Sequence, residues 1–156
     1  MSEKIIIDDT DRRILRQYQA EPGVGMAELA DRAGVTSATC WRRLEKMRGG
    51  GVIRAEEAVI DWAALGYAVE VSLRVTLDKT QARAFDDFLS AARLVPEVLE
   101  LQTFLGQVDV RLLVIARDLA HYQQLYRERI LTLPHIADIE ALMHIARVKS
   151  DEGLPV

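Results

Sequence analysis

A single cysteine, Cys40, stands in a chain of 156 residues. No intrachain disulfide can form, and a reducing cytoplasm suits the chain. Long hydrophobic runs are missing as well. The longest is Leu112 to Ala116, far short of the roughly 18–20 apolar residues that a membrane-spanning helix needs. The first residues, Met1-Ser2-Glu3-Lys4, soon meet Asp8, Asp9 and Asp11, which is not the charged-then-apolar pattern of a secretory signal. Histidine is scarce. His121, His135 and His144 share no metal-ligand spacing and no paired acid/base arrangement, so no metal or catalytic residue is expected. What the chain does have is a globular balance: 49% hydrophobic and 28% charged residues. That argues against disorder and suffices for one ordinary domain or two small ones.

The net charge of −4 looks unsuited to a nucleic-acid partner, but it hides a local asymmetry. Residues 1–60 hold ten Lys/Arg and ten Asp/Glu. Between Arg32 and Arg54 six basic residues (Arg32, Arg42, Arg43, Lys46, Arg48 and Arg54) face one acid, Glu45. Such a stretch forms either a phosphate-facing patch or a solvated helix face.

The pattern around it reads as a helix-turn-helix. Asp8 caps a first helix, Asp11 sits in its first turn, and Ile14, Leu15 and Tyr18 follow at helical spacing. Pro22-Gly23 stops it. A second helix runs from about Met26 to Ala33, Gly34-Val35 makes a tight turn, and Thr36 caps a third helix from Ser37 to about Arg48. On that helix Cys40, Leu44 and Met47 recur at i, i+4 and i+7 and should pack inward. Ala38, Arg42 and Lys46 should face out, flanked by Thr39 and Arg43. A face that begins small and polar and ends basic suits a major groove of double-stranded DNA. Cys40 reads as a small core residue, and Trp41 as interior or interface packing. Gly49-Gly50-Gly51 breaks the helix. Val52-Ile53-Arg54 and Ala58-Val59-Ile60 are expected as the two short strands of a wing.

Residues 61–66 form a linker, and the period then changes. Val69, Val71, Leu73, Val75 and Leu77 alternate with more polar residues, which predicts a strand. Helical spacing returns from Lys79 to Ala92. Val98 to Phe104 and Val110 to Ala116 read as a hairpin across a turn at 105–109. Leu119 to Leu131 reads as a helix, and a last strand is expected from about Ile136 to Val148. The order is βαββαβ, an α+β ferredoxin-like sandwich. Its helices cover one sheet face, and the chain offers nothing further to cover the other, so a homodimer is expected.

At this point the residues resemble a family: the leucine-responsive regulators of bacteria and archaea, the Lrp/AsnC type. The resemblance is carried by Ile7-Asp8 through Asp11-Arg12-Arg13-Ile14-Leu15, Glu28-Leu29-Ala30, Thr39-Cys40-Trp41-Arg42-Arg43-Leu44, Gly51-Val52-Ile53, Leu65-Gly66-Tyr67, Val95-Pro96-Glu97-Val98 and Gly106-Gln107-Val108-Asp109, in that order. The terminal Leu154-Pro155-Val156 is similar to the ending of many members. The resemblance implies a winged helix-turn-helix DNA-binding domain (1–60) and a dimerising, effector-sensing domain called RAM (67–156). It also implies dimers that assemble further into octamers, and an amino acid or related metabolite bound between subunits as effector, with no other cofactor. The implied effector loop is Gly106, Gln107, Val108 and Asp109. The implied DNA-binding residues are Ser37, Ala38, Thr39, Arg42, Arg43, Lys46 and Arg54. Three departures stand out. Gln107-Val108 replaces an acidic-aromatic pair, Gly25 replaces a serine before the second helix, and three glycines replace acidic residues and a single glycine after the third.

The expected function is therefore a cytoplasmic, sequence-specific transcription regulator. Two other readings remain open on the sequence: an architectural DNA-wrapping protein without effector, and an enzyme similar to siroheme decarboxylases, which share the two-part fold.

Overall fold

The structure, a computed structural model, describes residues 5–146 and 154–155. They fall into two compact units, 5–59 with 154–155, and 60–146. The first unit is three helices: α1 (Asp9–Ala20), α2 (Met26–Ala33) and α3 (Ser37–Gly49). Each start has a visible cause. The Asp8 carboxylate accepts the Asp11 N–H at 2.8 Å, and the Asp11 carboxylate accepts the Asp8 N–H at 3.1 Å. That reciprocal pair satisfies two of the donors a helix start leaves open. The Thr36 hydroxyl accepts the Thr39 N–H at 3.2 Å and opens α3. Gly34 ends α2 at φ 68°, in the left-handed region that glycine occupies without a Cβ penalty. Ile14, Leu29, Ala30, Ala33, Cys40, Leu44 and Met47 form the buried core, so Cys40 is the core residue the helical spacing predicts. Leu154, which the sequence reading placed with the second domain, lies on this unit. Its N–H donates to the Gln19 side chain at 2.9 Å, and its carbonyl accepts from it at 2.7 Å.

The expected wing strands are not formed: no residue from 52 to 60 pairs as a strand. After the glycines the chain turns back on α3 instead. The Val52 and Ile53 N–H groups both donate to the Met47 carbonyl, at 2.9 and 3.2 Å. Only Ile53 packs on the core, and Val59 is 78% exposed. A hairpin of two three-residue strands with no buried face lacks the support a pair of strands requires.

The second unit is β1 (Val69–Leu77), α4 (Ala84–Ala92), β2 (Val98–Thr103), β3 (Val110–Ala116), α5 (Leu119–Leu125) and β4 (Ile136–Met143). The antiparallel sheet has the order β2-β3-β1-β4, the ferredoxin-like arrangement the element order implied. Val71, Leu73, Val75 and Leu77 bury one face of β1 with Val110, Leu112 and Val114, against Phe88 of α4 and Tyr122 and Leu125 of α5. Period-two alternation thus becomes a one-sided core.

Three boundaries differ from expectation. Helix α4 starts at Ala84 rather than Lys79, because the Asp78 side chain accepts from both the N–H and the hydroxyl of Thr80, at 3.0 and 2.7 Å. That local turn competes with helix. Residues 119–131 are not one α-helix: Tyr126–Ile130 widens to a π turn, closed by the Leu131 N–H on the Tyr126 carbonyl at 2.8 Å. The last strand ends at Met143 and residues 144–146 are not strand, short of the expected end at Val148; 147–148 lie outside the described residues. Phe88 is fully buried and fills the space between α4 and the sheet, so Phe88→Ala should cost about 3–5 kcal/mol. Urea denaturation followed by circular dichroism reads that loss, and a loss below about 1 kcal/mol would contradict this packing.

Candidate DNA-binding face and effector loop

The buried arc of α3 is Cys40, Leu44 and Met47. The opposite arc presents Ser37, Ala38, Arg42 and Lys46, all exposed, with Thr39 half-buried beside them. Trp41 is 57% exposed, so of the interior or interface packing expected for it the interior is ruled out. The six basic residues do not act alike. Arg43 points away from its neighbour Arg42 and grips Asp8 at 2.7 Å and Asp11 at 2.8 Å. Asp11 is 1% exposed, so this contact supplies the positive partner that a buried carboxylate requires. Arg32 pairs with Glu21 at 2.8 Å and with Glu28. Arg48 pairs with Glu45 at 2.9 Å and Glu56 at 2.8 Å, and its guanidinium lies over the Tyr18 ring at 5.8 Å. The Tyr18 hydroxyl donates to the same Glu56 carboxylate. Among the described residues Arg42 and Arg54 keep no such partner, and Lys46 reaches only the Ile6 carbonyl at 3.5 Å. Half of the basic residues in the stretch are thus paired, mostly with acids that lie outside it in sequence. Of the six, Arg42, Lys46 and Arg54 are the cations without a carboxylate partner among the described residues.

In the second unit the loop between β2 and β3 is built on Asp109. This carboxylate is 3% exposed. One oxygen accepts the Leu77 N–H at 2.9 Å and the other meets the Lys79 ammonium at 3.0 Å. Burial alone would raise this carboxyl, but the Leu77 N–H and the Lys79 ammonium outweigh it and hold it below the ordinary value. The backbone of Asp109 also bonds Val75 and Phe104, and the Thr76 hydroxyl donates to the Gln107 carbonyl at 3.1 Å. Asp109 therefore fixes the loop to the end of β1. Gly106 and Gln107 are exposed and Val108 is half-buried. A side chain built on Gly106 would meet nothing within 4 Å, and its φ is not in the left-handed region. Neither the fold of the loop nor packing within the chain requires glycine there. Sequence reasoning missed Lys79 and Thr76 as supports of this loop. The Asp78-x-Thr80 turn, which holds Lys79 off the helix, was the available signal.

Residues 7–54 match a family model for a winged helix-turn-helix DNA-binding domain, and residues 70–154 match one for the Lrp/AsnC ligand-binding domain. The chain belongs to the Lrp/AsnC family. It is 33% identical to a proline dehydrogenase transcriptional activator from Rhodobacter capsulatus, across 85% of this chain and 86% of that one. An AsnC family transcriptional regulator from Agrobacterium tumefaciens superposes with a TM-score of 0.85 at 30% identity, over 95% of this chain and 96% of its own. A feast or famine regulatory protein from M. tuberculosis, solved in complex with L-methionine, superposes with a TM-score of 0.82 at 25% identity, over 94% and 97%. As a member of this family the chain is a DNA-binding transcription regulator and not an enzyme, which closes the decarboxylase reading.

Within an Lrp/AsnC DNA-binding domain, Arg42 and Arg43 should separate under mutation. Arg43→Ala leaves Asp11 buried without its cation. Because the guanidinium is about a quarter exposed, the loss should be about 1–3 kcal/mol, between the ranges for exposed and buried pairs. Arg42→Ala should change stability by less than about 0.5 kcal/mol; equal losses in urea denaturation would refute the division of labour. The pH dependence carries the same signature. Arg43, and after it the Asp11 N–H, hold the Asp8 carboxyl down to about 2, from an ordinary 3.8. A depressed carboxyl stabilises the fold fully above its unfolded value and loses that contribution as pH falls through the folded one. The Asp8 contribution should therefore vanish between about pH 3.8 and about pH 2. A carboxyl-carbon NMR titration should place Asp8 in that low range in the parent chain and higher in Arg43→Ala, still below the ordinary value because the Asp11 N–H bond remains.

Proposed function

We propose that this protein acts in the cytoplasm as a homodimeric regulator that places two α3 helices in successive major grooves of a near-palindromic DNA site, and that an amino acid or related metabolite bound at the Gly106–Asp109 loop tunes that binding. The observation that carries the reading is α3 itself. One arc is sealed into the core while Ser37, Ala38 and Arg42 stand exposed at its leading end, on a domain similar throughout to DNA-binding winged helices. Thr39 and Lys46 lie on the same helix beside that arc, Arg54 stands in the segment after it near Arg48 and Glu56, and Arg43 supports it from within. Pairing is supported by the sheet. Helices α4 and α5 cover one face, and the other carries the partly exposed Arg74–Glu140 and Arg111–Glu100 ion pairs around Ser72, Leu113 and Ile115, which are already buried within the chain. A second protomer covers that face, and dimers assemble further into octamers. The effector reading is supported by the open space over Gly106 and by the methionine-bound relative.

One observation favours the effector-free, DNA-wrapping alternative: Lys79 already matches the Asp109 charge, so an effector's ammonium meets no free carboxylate at that residue.

The test is binding of the full chain to the DNA upstream of its own gene, across a salt series, with and without the twenty amino acids. Saturable, salt-sensitive binding that one amino acid shifts by a coupling of about 1–3 kcal/mol supports the whole reading. Discrete binding with no shift selects the effector-free alternative. No binding at low salt refutes the α3 assignment. Gln107→Ala should alter the amino-acid shift while leaving the urea midpoint unchanged. Asp109→Ala should lower the midpoint, because it removes the anchor of the hairpin.

A further inference from the structure

Trp41 is an exposed indole on the second turn of a helix whose other exposed residues are small or charged. More than half of its surface is open to solvent. Among the described residues it makes no hydrogen bond and no ring contact. Its own unit has a closed core that does not use it. Helical side chains lean back over the turn before them, which carries the indole towards Ser37 and Ala38, the two residues at the leading end of α3. Both are exposed and neither is large enough to screen it. The unpaired Arg42 lies next to it in sequence. In the major groove a base edge offers donors, acceptors and one apolar group, the C5-methyl of thymine. An indole delivered beside a free guanidinium has that methyl as its natural partner. Burial of one methyl-sized apolar group is worth about 0.8 kcal/mol, or about fourfold in affinity.

We infer that Trp41 is a specificity-determining residue of the DNA-binding face, reading a thymine in each half-site by apolar contact with its C5-methyl group. The inference rests on α3 being the helix that enters the groove. It adds a base-reading role that neither the basic residues nor the Ser37–Ala38 end supplies.

The experiment uses the full-length protein and a random-sequence duplex pool. Sequences enriched by the parent chain are resynthesised with each thymine replaced in turn by uracil, which removes only the methyl and keeps the base pairing. The expected result is one position in each half-site at which uracil weakens the parent chain about fourfold. Trp41→Ala should bind more weakly overall and be indifferent to uracil at that position, while Trp41→Phe keeps the discrimination. Comparison with Trp41→Ala on the same duplexes removes any contribution from altered DNA shape. Because Trp41 is exposed, its variants should keep the parent circular dichroism and oligomeric state. Enrichment without any uracil-sensitive position overturns the inference and leaves the DNA-binding reading standing. So does a Trp41→Ala chain with the parent discrimination, or with a changed assembly and unchanged discrimination. A pool that yields no enriched sequence overturns the α3 assignment itself.

Discussion

The first unit is organised around one buried carboxylate. Asp11 sits in the opening turn of α1 at 1% exposure, a position an unpaired charge could not hold. Its oxygens are shared between the Asp8 N–H, which closes the start of α1, and the Arg43 guanidinium, which comes from the middle of α3. One side chain therefore completes a helix cap and fastens two helices through residues 32 positions apart in sequence. The rotation of α3 follows. With Arg43 drawn towards Asp11, Cys40, Leu44 and Met47 turn into the core, and Ser37, Ala38, Trp41 and Arg42 turn out. The outward face of α3, which the proposed function assigns to DNA, is thus set by a contact made within the domain.

The second unit uses the same device for a loop. Asp109 is buried at the end of the β2–β3 hairpin, and both of its oxygens are engaged by the end of β1 and the residues after it. A loop whose base is fixed in this way can expose Gly106 and Gln107 without loosening the strands beside them. The continuous apolar core of the sheet, by contrast, lies on its helix-covered face.

Much of this was legible in the sequence because the deciding contacts are local. The Asp8 and Thr36 caps, the Gly34 turn, the i, i+4, i+7 spacing of Cys40, Leu44 and Met47, and the alternation from Val69 to Leu77 each act within a few residues. The structure reproduces each of them. What stayed hidden depends on partners far along the chain. Arg42 and Arg43 look equivalent in sequence, and nothing near them says which one is claimed, because the claimants are Asp8 and Asp11. Arg48 looks free until Tyr18 and Glu56 come beside it. The early start expected for α4 failed for a local reason that helical periodicity overrode, the Asp78–Thr80 turn. The π turn at Tyr126–Ile130 left no mark in a pattern that reads as continuous helix. The expected wing strands failed because their apolar residues found no face to bury.

The pairing of Arg32, Arg43 and Arg48 has a consequence for how such a protein would find its target in a genome. Each phosphate contact releases counterions whatever the base sequence, so every free cation raises the affinity for wrong sites as much as for the right one. A helix that leaves few cations unclaimed holds random DNA weakly and quits it quickly. Discrimination then falls to the short row of residues that meet base edges. With three of the six basic residues between Arg32 and Arg54 occupied by its own acids, a DNA-binding face of this kind would trade grip for speed of search.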